Sequence, residues 1–493
     1  MMVTLLKYVL VIVMSLILRV LYDSICCYFL TPRRIKKLME RQGITGPNPR
    51  LLTGNIIDIS KMLSQSVSDD CSSIHHNIVP RLLPHYVAWP CRCGNDENTL
   101  LQHNPVTGKS WLQQQGTKGF IGRGLLMANG EAWHHQRHLA APAFTRDRLK
   151  GYAKHMVECT RMMVDRLRKE TEKEVEIGEE LRRLTADIIS RTEFGSSYAK
   201  GKELFNLLTV LQRLCAQATR HLCFPGSRFL PSKYNREIKS LKTEVERLLM
   251  EIIESRRDSI ENGRSSSHGD DLLGLLLNQM DRNNNNNLNV QMIMDECKTF
   301  FFTGHETTSL LLTWTLMLLA HNPTWQDKVR HEVRRVCGQD GVPSVEQLSS
   351  LTSLFKVINE SLRLYPPATL LPRMAFEDIK LGDIVIPKGL SIWIPVLAIH
   401  HSKELWGEDA DEFNPERFTA RSFESSRHFM PFAAGPRNCI GQSFAMMEAK
   451  IILAMLVSKF SFKISENYRH APIVVLTIKP KYGVQLILKP LDP

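Results

Sequence analysis

From Gln291 to about Ala320 the chain reads as one uninterrupted helix. At 1.5 Å per residue, roughly 30 residues extend about 45 Å, enough to cross a whole domain. The other elements must therefore pack around it. Its second half, FFTGHETTSLLLTWTLML (301–318), is apolar enough to demand burial. Yet Gly304, His305, Glu306, Thr307 and Thr308 interrupt that run. A buried carboxylate costs free energy unless something pairs with it. The patch is either a chance polar stripe in a core helix or the place where chemistry happens.

The surroundings support a mostly helical chain. Long segments of 3.6-residue period fill about 145–260, and SSSHGDD (265–271) and DRNNNNNLN (281–289) read as solvated loops. Asn322-Pro323 supplies an N-cap and an N1 proline for the next helix, and Ser344-x-x-Gln347 resembles a capping box. The helix carrying NESLRLY ends at Pro366-Pro367. After it, LGDIVIPKGLSIWIPVLAI alternates like short strands, and VVLTIKPKYGVQLILKP looks like a hairpin. The expected class is mostly α with small β sheets late in the chain, an α+β arrangement without internal repeats. A composition of 43% hydrophobic and 23% charged residues provides material for a large core.

A formal charge of +12 favours anionic partners. No dense Lys/Arg block carries interleaved aromatics, so nucleic acid is not among them. The eleven cysteines have no regular spacing, and Cys91 and Cys93 lack a second pair at zinc-finger distance. A reducing compartment fits such usage better than a disulfide scaffold. At the N-terminus, Tyr8–Leu18 and the apolar stretch resuming after Arg19 could span a bilayer with about 20 residues. Arg33, Arg34, Lys36 and Lys37 follow, which leaves the main body on the cytosolic side. The competing reading is a cleaved secretory signal, which would expose the cysteines to an oxidising lumen. The expected organisation is an anchor over 1–32, a basic and Pro-rich hinge over 33–50 ending in TGPNPR, and a catalytic body over 51–493.

The sharpest local signal is PFAAGPRNCIGQSFAMMEAKIILAML (431–456). Cys439 follows a Gly/Pro-rich loop and directly precedes an apolar helix. Free N–H groups and the positive end of the helix dipole then face the sulfur, an arrangement that favours a thiolate. Gly435 and Gly441 allow backbone close to a flat ligand. Phe432 can cover the sulfur, and Arg437 can neutralise an acidic group of that ligand. A lone cysteine before a helix is usually just a small buried residue; the complete F-x-x-G-x-R-x-C-x-G spacing argues otherwise.

Over nearly all its length the chain resembles the cytochrome P-450 family of haem-thiolate monooxygenases. Glu360-x-x-Arg363 matches a family pair that locks with the arginine of P-E-R-F, here Arg417 in Pro415–Phe418. Trp133 and Arg137 match the family's W-x-x-x-R helix, and with Arg373 and Arg437 are implied to meet the haem propionates. Cys439 is implied as the axial ligand of haem b (iron protoporphyrin IX). Thr303–Thr307 matches the family's small-G-x-[DE]-T motif, with threonine where alanine is common. The resemblance implies that Glu306 and Thr307 pass protons to dioxygen over the haem. Thr307 can also bond a carbonyl one turn earlier and open the helix there. His134, His135 and His138 are not expected to form a metal cluster, because successive helix positions diverge. GFIGRG (119–124) does not have the G-x-G-x-x-G spacing, and no flavin or nicotinamide fingerprint follows a strand. Electrons are therefore expected from NADPH through a separate cytochrome P-450 reductase at the endoplasmic reticulum membrane.

The segments 103–138 and 466–486 closely resemble plant cytokinin hydroxylases, which hydroxylate the isopentenyl side chain of N6-(isopentenyl)adenine nucleotides to trans-zeatin forms. Residues 111–127, 301–308 and the Leu370–Leu371 loop are then expected to line the pocket. The alternatives are a hydroxylase of another small lipophilic substrate, such as a terpenoid, steroid or fatty acid, a haem-thiolate isomerase or lyase, and an inactive shortened variant. The last arises because the stretch 90–103 is too short for the family's two-strand hairpin. Its loss is expected to expose backbone donors on the strand near Pro372.

Overall fold

The computed structural model describes residues 2–50, 54–71, 73–89, 106–169, 173–195, 198–218, 232–262, 267–282, 289–419 and 428–491. Helix α1 (Met2–Ile25) passes through a π turn at Cys26–Leu30 into α2 (Thr31–Glu40). Residues 5–40 carry a stretch of mean hydropathy 2.2, with none of that stretch buried, long and apolar enough to cross a membrane. The basic residues 33–37 belong to α2, so this part of the expected hinge is helical. Irregular backbone begins near Gly43, whose φ is +76°. Short helices α3 (Ile56–Ser66), α4 (Val79–Leu82) and α5 (Pro84–Ala88) lead into the body.

The body is a set of helices around one long central element. Helix α6 (Trp111–Thr117) starts at a complete capping box between Ser110 and Gln113. There follow α7 (Gly130–Ala140), α8 (Arg146–Arg168), α9 (Ile177–Phe194), α10 (Tyr198–Ala218), α11 (Lys233–Glu261) and α12 (Leu272–Arg282). The central helix, α13, runs from Val290 to His321, and every residue from Leu310 to Leu319 is buried. Its predicted extent is thus correct to within a residue at each end. Helix α9 crosses it at Gly304, where an added Cβ would lie 2.6 Å from Ile189 Cδ1. One residue of the polar patch is therefore dictated by helix packing alone. Helices α14 (Pro323–Cys337), α15 (Thr352–Leu364), α16 (Val396–His400), α17 (Lys403–Trp406) and α18 (Gln442–Lys459) complete the set.

Small antiparallel sheets flank this body. Strand β3 (Leu371–Ala375) lies between β1 (Thr107–Gly108) and β6 (Ser391–Ile394). It pairs with β6 from Leu371 to Met374 and with β1 at Met374 and Ala375. The strand expected to lose its partners therefore keeps one full neighbour and two residues of another. The shortened stretch 90–103 lies outside the described residues. Strands β4 (Ile379–Leu381) and β5 (Ile384–Ile386) form a hairpin. Strand β10 (Gln485–Pro490) sits between β2 (Glu174–Glu176) and β7 (Phe460–Ile464). Strands β8 (Pro472–Val475) and β9 (Thr477–Pro480) turn at Leu476, whose φ is +64°.

Three local expectations are corrected. Residues 396–400 form a helix, because Pro395 ends the strand pattern. The C-terminal segment is a hairpin only as far as Pro480; its last strand joins another sheet. Asn322 stands before α14, but its side-chain amide donates back to Leu318 O at 2.8 Å instead of capping. Ser344 and Gln347 do exchange both bonds of the capping box, ahead of a 3-10 turn.

Candidate active site

The loop 428–441 wraps back on itself before α18. Asn438 N donates to Gly435 O at 3.0 Å and Cys439 N to Phe432 O at 2.9 Å. Ala433 and Gly435 both lie in the left-handed region, at φ 59° and 71°, so glycine at 435 carries no strain. Gly441 is different: its φ is negative and an added Cβ would touch nothing closer than Phe144 Cε1 at 3.7 Å. No protein atom of this cavity demands glycine there. The sulfur of Cys439 faces a cavity lined by Phe432, Ala433, Arg437, Gly441 and Phe444 on one side and by α13 on the other. Burial pushes its thiol up; the Gly441 amide and the Arg137 guanidinium oppose this without overcoming it. The expected thiolate is thus not established by the loop and dipole alone.

Four cations meet on the cavity wall: Lys109, Arg137, Arg373 and Arg437. Trp133 is buried and carries the Arg437 guanidinium 4.8 Å from its ring centroid and that of Arg137 at 5.7 Å. Arg137 is fixed by Asn438 O at 2.8 Å and Asn438 Oδ1 at 2.7 Å, and Arg437 donates to Ala128 O at 2.9 Å. Arg373, on β3, is buried and donates to Pro372 O at 3.0 Å. Burial, with repulsion from Arg373 and Arg437, pushes Lys109 down to about 7. Burial, with Arg373 and Arg137, pushes Arg437 down to about 10. Among the described residues no carboxylate pairs with Lys109, Arg137 or Arg373. Such a set is costly until an anion completes it. A sulfur on one face and four cations at the rim fit a flat dianionic macrocycle such as haem.

Across the cavity stand Thr299, Phe300, Thr303, Gly304, Thr307 and Thr308 of α13. Thr307 Oγ1 donates to Thr303 O at 2.7 Å, and Thr303 Oγ1 to Thr299 O at 2.8 Å. The back-bond expected of Thr307 is present, while α13 stays helical throughout. With their protons committed, both hydroxyls face the cavity as acceptors. Glu306 does not line the cavity. Its carboxylate pairs with Lys479 on β9 and accepts from Thr477 Oγ1 at 3.1 Å. Burial raises its pKa, but Lys479, His305 and Thr477 together hold it below the usual carboxylate range.

Behind the cysteine loop, Glu360 and Arg363 form a fully buried fork of two 2.8 Å bonds. Arg363 also donates to His400 O and Ala410 O, and Arg417 Nε lies 3.5 Å from Glu360 Oε1. The three-residue lock is thus assembled. His134, His135 and His138 are exposed, and no cluster of three or more His, Cys, Asp or Glu side chains that could hold a metal ion occurs among the described residues.

Of the expected lining, only Leu125, Leu126, Thr303, Gly304, Thr307, Thr308 and Leu371 reach the cavity; 111–121 do not. Sequence reading missed Lys109, which belongs to no motif, and Glu193 on α9. Glu193 lines the cavity, is buried, and neither carboxylate oxygen has a hydrogen-bond partner. Burial raises it well above the usual range. Nothing in SRTEF distinguishes it from a surface acid.

The profile of the family "Cytochrome P450" matches residues 46–486. A "Cytokinin hydroxylase" of Arabidopsis thaliana is 86% identical over 512 aligned positions covering 100% of both chains. A second Arabidopsis thaliana protein of the same name is 74% identical over 516 positions, again covering 100% of both. "Cytochrome P450 709B1", also from Arabidopsis thaliana, is 38% identical over 94% of each chain. The first two alignments exceed this chain's 493 residues, so each opens gaps in it.

Proposed function

The chain belongs to the cytochrome P450 family, and from that premise we propose that it is a haem-thiolate monooxygenase hydroxylating the isopentenyl side chain of N6-(isopentenyl)adenine nucleotides to trans-zeatin forms. What carries the reading is whole-length identity of 86% and 74% to two cytokinin hydroxylases. Haem held by a thiolate activates dioxygen with two electrons and two protons, placing one oxygen atom in a C–H bond and releasing the other as water.

In this reading Cys439 holds the iron, with Phe432, Gly435 and Gly441 around the sulfur. Arg137, Arg373 and Arg437 hold the propionates, and Trp133 carries two of those guanidinium groups against its ring. Glu360, Arg363 and Arg417 brace the loop from behind. Thr307 accepts hydrogen bonds at the cavity wall, and Glu306 exchanges protons with it after leaving Lys479. Leu125, Leu126, Phe300 and Leu371 supply apolar wall, and Thr307 lies on the polar side of the cavity next to Glu306 in the chain. The electrons come from NADPH through a cytochrome P-450 reductase. Residues 1–32 anchor the protein in the endoplasmic reticulum membrane, residues 33–50 join anchor to body, and the catalytic domain from 51 onward faces the cytosol.

The test is turnover of isopentenyladenosine monophosphate by the full chain with reductase and NADPH. A trans-zeatin product supports the proposal; turnover of terpenoids, steroids or fatty acids instead would replace the substrate class. One observation favours a second reading, a shortened variant without turnover: the alignment gaps, which we assign to the 90–103 stretch.

A further inference from the structure

The run GFIGRG lies flat against the first half of α13, and its glycines are there for contact. Gly122 has φ +74°, and a Cβ on it would come 2.2 Å from Asp295 Cγ. A Cβ on Gly124 would come 2.1 Å from Thr299 Oγ1. Two adjacent acids of α13 take alternate amides of this loop. Arg123 N donates to Asp295 Oδ2 at 2.8 Å, and Leu125 N donates to Glu296 Oε2 at 3.0 Å. From the other side, Gln136 Nε2 of α7 donates to Arg123 O at 3.0 Å.

The clamp is itself tied down. Lys298, wholly buried, lies 2.7 Å from Asp295 Oδ1 and 3.3 Å from Glu246 Oε1 on α11. Gln291 Nε2 donates to Asp295 Oδ1 at 3.1 Å and to Glu246 Oε1 at 3.2 Å. Asp295 and Glu296 are 6% and 2% exposed, yet neither lines the cavity. Leu125, whose amide Glu296 holds, and the next residue, Leu126, do.

We propose that Asp295 and Glu296 are positioning residues that set substrate selectivity by holding Leu125 and Leu126 in the cavity wall, with Lys298 coupling that hold to α11. The proposal rests on the cavity being the substrate pocket. A charged, buried hydrogen bond is among the stronger ones, and an unpartnered amide left behind adds its desolvation cost. Loss of the Asp295 carboxylate therefore releases the Arg123 amide and loosens the loop, leaving Glu296 and Gln136 as its remaining holds, without touching the cysteine, the cations or the threonines.

The test uses the full-chain holoenzyme and the variants Asp295→Ala and Asp295→Asn. Amide hydrogen exchange over 119–127 is expected to quicken about tenfold in Asp295→Ala, the loss of one buried bond of this kind. The Kd for 4-phenylimidazole, read from the haem absorption shift, should rise by a similar factor. With isopentenyladenosine monophosphate, KM should rise about tenfold while kcat stays within about threefold. Asp295→Asn, which keeps an oxygen for Arg123 N, should recover part of each effect. Faster exchange with unchanged azole affinity and KM would overturn the proposal, as would unchanged exchange. So would a fall in kcat at constant KM. If Asp295→Ala does not fold, the same readings on Asp295→Asn decide. If wild type makes no zeatin product, the substrate proposal fails, while exchange and azole binding still judge this one.

Discussion

The carboxylate of Glu306 is paired with the ammonium of Lys479, joining the central helix to the β8–β9 hairpin. The acid is nearly fully buried and the lysine is 30% exposed. Lys479→Met should cost about 1–3 kcal/mol, less than a fully buried pair because the lysine meets solvent. Adding Glu306→Gln should recover much of that loss, since no buried charge remains. Urea unfolding of the three proteins checks this; equal midpoints for single and double variants would contradict it. The net depression of Glu306 also fixes a sign. The pair's stability is present above the ordinary carboxylate value of 4.5 and is lost as pH falls through the lower folded value.

A second acid effect comes from two buried histidines. His400 accepts from Met430 N at 3.0 Å, and burial, then Arg363, pushes it down to about 3. His76 lies 2.7 Å from Tyr365 Oη, and burial, then His470, pushes it down to about 3. The unfolded chain protonates both near 6.5, the folded chain only near 3. Stability is whole above that upper value and falls below it by up to ~1.4 kcal/mol per pH unit for each histidine. His76→Gln should flatten the acid limb of a stability-against-pH curve by one such contribution. An unchanged slope would contradict the assignment.

The Glu360–Arg363 fork makes a sharper demand. Removing one partner of a fully buried pair costs about 3–5 kcal/mol. Arg363→Ala also strands His400 O and Ala410 O. We expect it to abolish haem retention during purification, whereas Arg417→Lys, at the looser 3.5 Å contact, should retain haem with a lower Tm. Equal retention by Arg363→Ala and wild type would contradict the bracing role.

Legibility of the fold followed the range of the physics behind each signal. Helical periodicity is local, so α13 could be bounded almost to the residue. The switch to helix at 396–400 and the transfer of β10 to another sheet depend on tertiary partners. The spacing around Cys439, Glu360 and Trp133 picked out residues that the structure gathers around one cavity and in the buried fork behind it, because a cofactor site needs fixed residue types at fixed intervals. Lys109 and Glu193 stayed hidden, since burial is what makes them unusual and burial is not written locally. The partner of Glu306 was equally out of reach: Lys479 lies 173 residues away on a hairpin whose docking only the fold determines. Gly122 and Gly124 were visible, but their reason, the carboxylate and hydroxyl of α13 beneath them, was not.

The reduced, carbon-monoxide-bound absorption spectrum of the full chain and of Cys439→Ser tests the central claim most directly. The account predicts the Soret band of thiolate-ligated haem in wild type and its loss in the variant. Haem bound without that band in wild type, or the same band surviving in Cys439→Ser, would contradict it.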